Sequence, residues 1–141
     1  MRKLVLTLAM GLFLTVASTG CKSVKKCMYE ELSGKWIVTA IGEKSIDAAE
    51  KPFIEFNTTE KRIHSRGPCN IINSPFELKA DSPCAISFPA PMSTMMACPE
   101  LELEGEYLKA INNVAAFRID GEKLALLDAN SLVLIELVKE Q

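Results

Sequence analysis

Two hydrophobic periods follow one another along this chain. From Gly34, the run Lys35-Trp36-Ile37-Val38-Thr39-Ala40-Ile41 is rich in β-branched and aromatic residues, the types that suit a pleated, half-buried surface. The two-residue repeat of a strand puts Trp36, Val38 and Ala40 on one face. Gly42-Glu43-Lys44 has turn composition. Phe53–Phe56, just after Pro52, predicts a second short strand. Lys61–Arg66 alternates around Ile63 and predicts a third, which stops at Gly67-Pro68. Phe76–Ala80 and Ala85–Phe88 are two more, separated by a turn at Asp81-Ser82-Pro83.

Between Pro99 and Val114 the period changes. Leu103, Tyr107, Ala110, Ile111 and Val114 recur at helical spacing, with Leu108 alongside. Pro99 suits a first-turn position, and Glu100, Glu102, Glu104 and Glu106 sit early, where the helix dipole favours negative charge. These four carboxylates read as a solvated acidic surface. Gly105 inside the pattern costs ~1 kcal/mol against Ala. Period two then returns. Ala116–Ile119, Lys123–Leu127 and Leu132–Val138 predict three strands, joined by turns at Asp120-Gly121 and Asp128–Ser131; Asp-Gly between apolar runs is a strong hairpin signal. The predicted fold is α+β and mainly β: a single curved, mostly antiparallel sheet or cracked barrel of about eight strands, with one helix before the last three.

The first 20 residues follow another logic. Met1-Arg2-Lys3 is cationic, Leu4–Val16 carries no charge, and Ala17-Ser18-Thr19-Gly20 is a patch of small residues ending at Cys21. That is the make-up of a secretory signal peptide. The apolar run falls short of the ~20 residues a membrane-spanning helix needs. Ser-Thr-Gly-Cys resembles the bacterial lipobox, whose Cys is acylated after cleavage, with Ser18 standing where most lipoboxes have Leu. The expected organisation is a signal peptide over 1–20, lipidated Cys21 with a short tether over 21–28, and one domain over 29–141. Several acyl chains hold a protein stably, since each buried methylene adds ~0.8 kcal/mol.

Charge adds little to this picture. The chain has 16 Lys and Arg against 18 Asp and Glu, a formal −2. Losing Arg2 and Lys3 with the signal peptide makes the remainder more acidic, so no basic field exists to attract nucleic acid. Lys22, Lys25 and Lys26 form a small basic cluster after the anchor, read as part of a solvated tether.

Five cysteines are ordinary for an exported protein. With Cys21 lipidated, Cys27, Cys69, Cys84 and Cys98 remain; four cysteines allow three pairings, and spacing does not choose among them. No CxxC pair occurs, and the gaps do not resemble a zinc site, so disulfides are expected and no metal site or cofactor is. Met92, Met95 and Met96 precede Cys98. Thioethers bind soft metals such as Cu(I), but Met is also an adaptable core filler, and the core role is the expected one. His64, the single His, has no Ser or Cys partner at a motif spacing and reads as a strand residue facing water.

Several of these residues together resemble the META domain family, to which the heat-shock lipoprotein HslJ belongs. Gly34-x-Trp36 is similar to the Gly-x-Trp that opens the family's domain, and Pro52-Phe53-Ile54-Glu55-Phe56 to its second strand. Pro68-Cys69-Asn70 lines up with Gly-Cys-Asn, and Thr94-Met95-Met96-Ala97-Cys98 with Thr-x-Met-Ala-Cys. The helix with Glu104 and Leu108 and the stretch Phe117–Leu126 resemble the final helix and hairpins. The likeness covers residues 31–138. It departs from the pattern at Pro68, where the family has Gly, with Gly67 one place earlier; Cys27 and Cys84 are additions.

The resemblance implies a compact β-rich domain, periplasmic or on the inner face of the outer membrane. It also implies a disulfide between Cys69 and Cys98, worth ~3–4 kcal/mol through loop closure, with Asn70 and Thr94 satisfying backbone groups in turns. Cys27 and Cys84 then either pair or cross-link to another chain. The expected function is that of a non-enzymatic, lipid-anchored envelope protein with a role in stress or antibiotic tolerance or envelope maintenance, exercised through a protein partner or a small apolar ligand. The alternative is a hydrophobic-ligand or peptide-binding module, such as a secretion pilot-like lipoprotein, with its pocket inside the curved sheet. A thiol enzyme built on Cys69 or Cys84 with His64 is a third reading, and the least favoured.

Overall fold

The computed structural model describes residues 27–141. The expected signal peptide over 1–20, the expected lipidation site Cys21 and the expected tether up to residue 26 lie outside the described residues. A 3-10 turn at Tyr29–Leu32 leads into eight strands: β1 (Gly34–Ile41), β2 (Lys44–Ser45), β3 (Phe53–Asn57), β4 (Arg62–Arg66), β5 (Ile71–Pro75), β6 (Glu77–Lys79), β7 (Ser82–Ser87) and β8 (Met92–Ser93). Helix α1 (Leu101–Asn113) follows, and then β9 (Ala116–Asp120), β10 (Lys123–Leu127) and β11 (Val133–Lys139).

All pairings are antiparallel, in the order β6-β7-β9-β10-β11-β1-β3-β4-β5-β8, with β2 beside β1. First and last strands therefore meet at the middle, and the sheet curls as a half-barrel around α1. The expected class holds, with eleven strands in place of about eight. The additional ones are β2, β5 and β8. Asp81-Ser82-Pro83 is only partly a turn, because β7 already begins at Ser82. Pro99 stands outside the helix, one residue before its cap Glu100.

Alternation decides which side chains face inward. Trp36, Val38 and Ala40 of β1 are buried together, as are Ile54 and Phe56 of β3, Leu124 and Leu126 of β10, and Ile135 and Leu137 of β11. From α1, Tyr107, Ala110 and Ile111 meet them. These residues, Ala40 apart, join Phe117, Ile63 and Ile72 in one continuous apolar cluster, so packed side chains fill the space within the curve, where a ligand pocket was the alternative expectation. The β9–β10 hairpin turns through Gly121 and Glu122, with Gly121 at φ +61°, a left-handed conformation that glycine adopts without steric cost.

Trp36 also fastens the start of the domain. Its indole N–H donates to Leu32 O at 2.7 Å, and Lys139 Nζ lies 4.9 Å from the ring centroid while donating to Ser33 O at 3.0 Å. Gly34 bends between them at φ +105°. Cys27, placed at the end of the tether from sequence, is bonded to Cys84 of β7.

Candidate functional site

The resemblance motifs converge at the turn between β4 and β5. Gly67 N–H donates to Asn70 O at 2.8 Å and closes that turn. Asn70 is almost wholly buried, and its Oδ1 accepts two hydrogen bonds, from Met96 N–H at 2.8 Å and from Thr94 Oγ1 at 2.9 Å. Thr94 Oγ1 in turn accepts from Ile71 N–H at 3.1 Å, and Thr94 N–H donates to Ile71 O at 3.1 Å. A disulfide between Cys69 and Cys98, with Cα atoms 6.0 Å apart, ties the same turn to the approach to α1. Asn70 and Thr94 thus do what turn polar residues do, satisfying backbone donors that strands leave open. Ala97 lies exposed on this loop.

Beneath the turn sits a buried carboxyl. Glu104 is 2% exposed. Its Oε2 accepts from Cys69 N–H at 3.0 Å, while Oε1 is buried without a hydrogen-bond partner. Next to it Tyr107 OH and Ser65 Oγ are 2.7 Å apart. Burial pushes the Tyr107 phenol well above its ordinary range, a shift that the Ser65 hydrogen bond opposes and the Glu104 charge reinforces. Glu104 was expected on a solvated acidic face. It is instead the inward member of the stripe Glu104, Tyr107, Ile111, spaced three and then four residues, which was the signal available in the sequence.

Both bridges use the four cysteines 27, 69, 84 and 98, so none of these is a free thiol. His64 Nδ1 lies 2.9 Å from Asn73 Oδ1. The methionines depart furthest from expectation: Met92, Met95 and Met96 are 64%, 97% and 65% exposed and fill no core.

A second feature lies at the other end of α1. An open cleft of about 510 Å³ runs between α1, the β1–β2 turn and the β10–β11 loop. Ile41 and Leu134 are among its apolar lining residues, and Glu106, Lys109, Asn113 and Asp128 among its polar ones. Asp128 shapes the loop: its Oδ1 accepts from Asn130 N–H at 2.8 Å and Leu132 N–H at 2.9 Å.

Comparison with known proteins agrees with this architecture. The sequence profile of the META domain matches residues 30–141. No curated protein matches the chain. Among solved structures, an NMR structure of a protein from Burkholderia xenovorans superposes with a TM-score of 0.61 at 17% identity, covering 79% of this chain and 86% of that one. A crystal structure of a DUF4847 family protein from Bacteroides vulgatus ATCC 8482 gives a TM-score of 0.61 at 14% identity, covering 80% and 98%. At these identities the likeness is one of fold.

Proposed function

Since the chain belongs to the META domain family, we propose that it is a non-enzymatic, lipid-anchored binding domain of the bacterial cell envelope. Acylated Cys21 holds it to the outer membrane on the periplasmic side, and the tether up to residue 26 spaces it from the lipid. The domain takes a small amphipathic molecule in the cleft at the C-terminal half of α1. Tolerance of envelope stress or of antibiotics is the physiological role that the family resemblance suggests.

The cleft carries this reading. Its volume of about 510 Å³ lies within the ~300–1,000 Å³ of small-molecule sites, which combine an apolar lining with a few polar groups that fix orientation. Here Ile41, Ala110 and Leu134 offer apolar surface, and Lys109 stands with the carboxylates of Glu106 and Asp128, so the polar end of the ligand meets groups of both signs. The anchor is supported by the cationic, apolar and small-residue order of residues 1–20 before Cys21.

Two measurements test it. A fluorescent fatty acid titrated into the full-length protein binds saturably, and Ala129→Trp, an exposed loop substitution that fills the cleft, abolishes the signal. Absence of saturation, or indifference to that substitution, rejects the cleft. Intact mass spectrometry of the mature protein shows acyl mass on Cys21; an unmodified mass rejects the anchor.

A further inference from the structure

We propose that Met92, Met95 and Met96 form a thioether site for a monovalent soft metal ion, Cu(I) or Ag(I). The first ground is where methionine is used. It is normally among the buried residue types, yet every Met among the described residues lies outside the core. Met28 is 43% exposed, and the other three more so. Large core positions are taken by Ile, Leu, Phe, Tyr and Trp. Three of the four exposed thioethers then fall within five consecutive residues.

The second ground is how that segment is held. Met92 pairs with Asn73 in the β5–β8 register. Thr94 N–H is bonded to Ile71 O, Met96 N–H to Asn70 Oδ1, and Cys98 to Cys69. The backbone of the loop is thus fixed at four successive points while the thioether arms, each with three rotatable bonds, project free. A fixed frame with adaptable donors lowers the ordering cost of gathering them around an ion.

The third ground is ligand chemistry. Thioethers are neutral and soft, and select Cu(I) over ions that favour carboxylate oxygen. Residues 89–97 contain no charged side chain, so the segment itself offers a hard cation no carboxylate. Among the described residues no group of three or more His, Cys, Asp and Glu could hold a metal elsewhere. His64 lies on the same outer face as Met92 but two strands away, with Asn73 between them in one register row; it is not a member of the site.

Ag(I), which is inert to redox change, is the probe. The full-length chain is alkylated with iodoacetamide so that Cys21 offers no thiol, and then titrated by calorimetry and native mass spectrometry. One Ag(I) binds per chain. Met92→Leu/Met95→Leu/Met96→Leu, which keeps the apolar bulk, weakens binding by about tenfold or more. Met95→Leu alone, at the most exposed position, weakens it measurably, and circular dichroism confirms that both variants fold. Affinity is the same at pH 7.5 and pH 5, because a thioether has no proton to exchange, whereas imidazole with a pKa of about 6.5 would lose at least tenfold. Absence of stoichiometric binding, full retention in the triple variant (the result expected of a surface that serves only as an apolar contact), or loss on acidification overturns the proposal.

Discussion

Gly67 leaves the space that Glu104 occupies: a methyl group added to its α-carbon would come within 2.6 Å of Glu104 Oε2 and 3.1 Å of Tyr107 Cδ1. Glycine is needed here for close approach, not for a left-handed φ. Pro68 has the position before Cys69, half-buried, while Gly67 sits fully buried against the helix.

Gly67→Ala is therefore expected to destabilise the domain by ~1–3 kcal/mol, the usual cost of overpacking. Glu104→Ala is expected to cost about as much, because it strips Cys69 N–H of its acceptor. The two effects are not additive: the double variant removes the clash along with the carboxyl and is more stable than the sum of the single losses by ~1 kcal/mol or more. Urea unfolding of the four proteins measures the cycle. Strict additivity would show that the two residues do not compete for the same space.

Tyr107 gives the fold a pH limit with a definite sign. Its phenol ionises less readily in the folded protein than its ordinary pKa of 10.0, first because it is buried. Above pH 10 the unfolded chain releases this proton and the folded one keeps it. The stabilisation is fully present below that pH and is lost as pH rises, by about 1.4 kcal/mol per pH unit. Tyr107→Phe loses the Ser65 partner and ~1 kcal/mol at neutral pH, but it no longer carries the alkaline loss. Unfolding curves between pH 9 and 11.5 compare the two slopes; parallel slopes would refute the assignment to Tyr107.

Much of this arrangement was legible in the chain because burial and period coincide. The face Trp36, Val38, Ala40 and the stripe Tyr107, Ala110, Ile111 are the core as expected. Strand β5 was not legible. Ile72 and Ser74 are its inward residues, and Asn73 and Pro75 carry poor strand propensity. It forms because β4 pairs along its whole length, and Pro75 is tolerated where β8 covers only Ile72 and Asn73. Strands β2 and β8 have two residues each and take their conformation from their neighbours. Burial of Glu104 is not legible from its charge; only its place three residues before Tyr107 marks it. Exposure of the methionines is not legible either, since hydropathy does not register a loop whose backbone is tied down from outside. The Cys27–Cys84 pairing could not be read from spacing, since Cys84 reaches its place through β7 coming back beside β9.

Asn70 ties the turn of the motif to the methionine loop, and its removal separates local order from global stability. Its Oδ1 is the acceptor for Met96 N–H and Thr94 Oγ1, and Thr94 in turn serves Ile71 N–H. Asn70→Ala leaves these donors without their partner at a nearly buried position, at a cost of ~1–3 kcal/mol. The loss is unevenly distributed. Amide exchange at Met96 and Ile71 is expected to accelerate far more than at Leu124 or Ile135, which lie in the buried β10–β11 pair that opens only with the whole fold. The Cys69–Cys98 bridge remains and keeps the loop near its place, so the domain still unfolds cooperatively in urea. Exchange followed by NMR separates the outcomes: uniform acceleration at all four amides would mean that Asn70 supports the whole core, and no change at Met96 would mean that the loop is held by the disulfide alone.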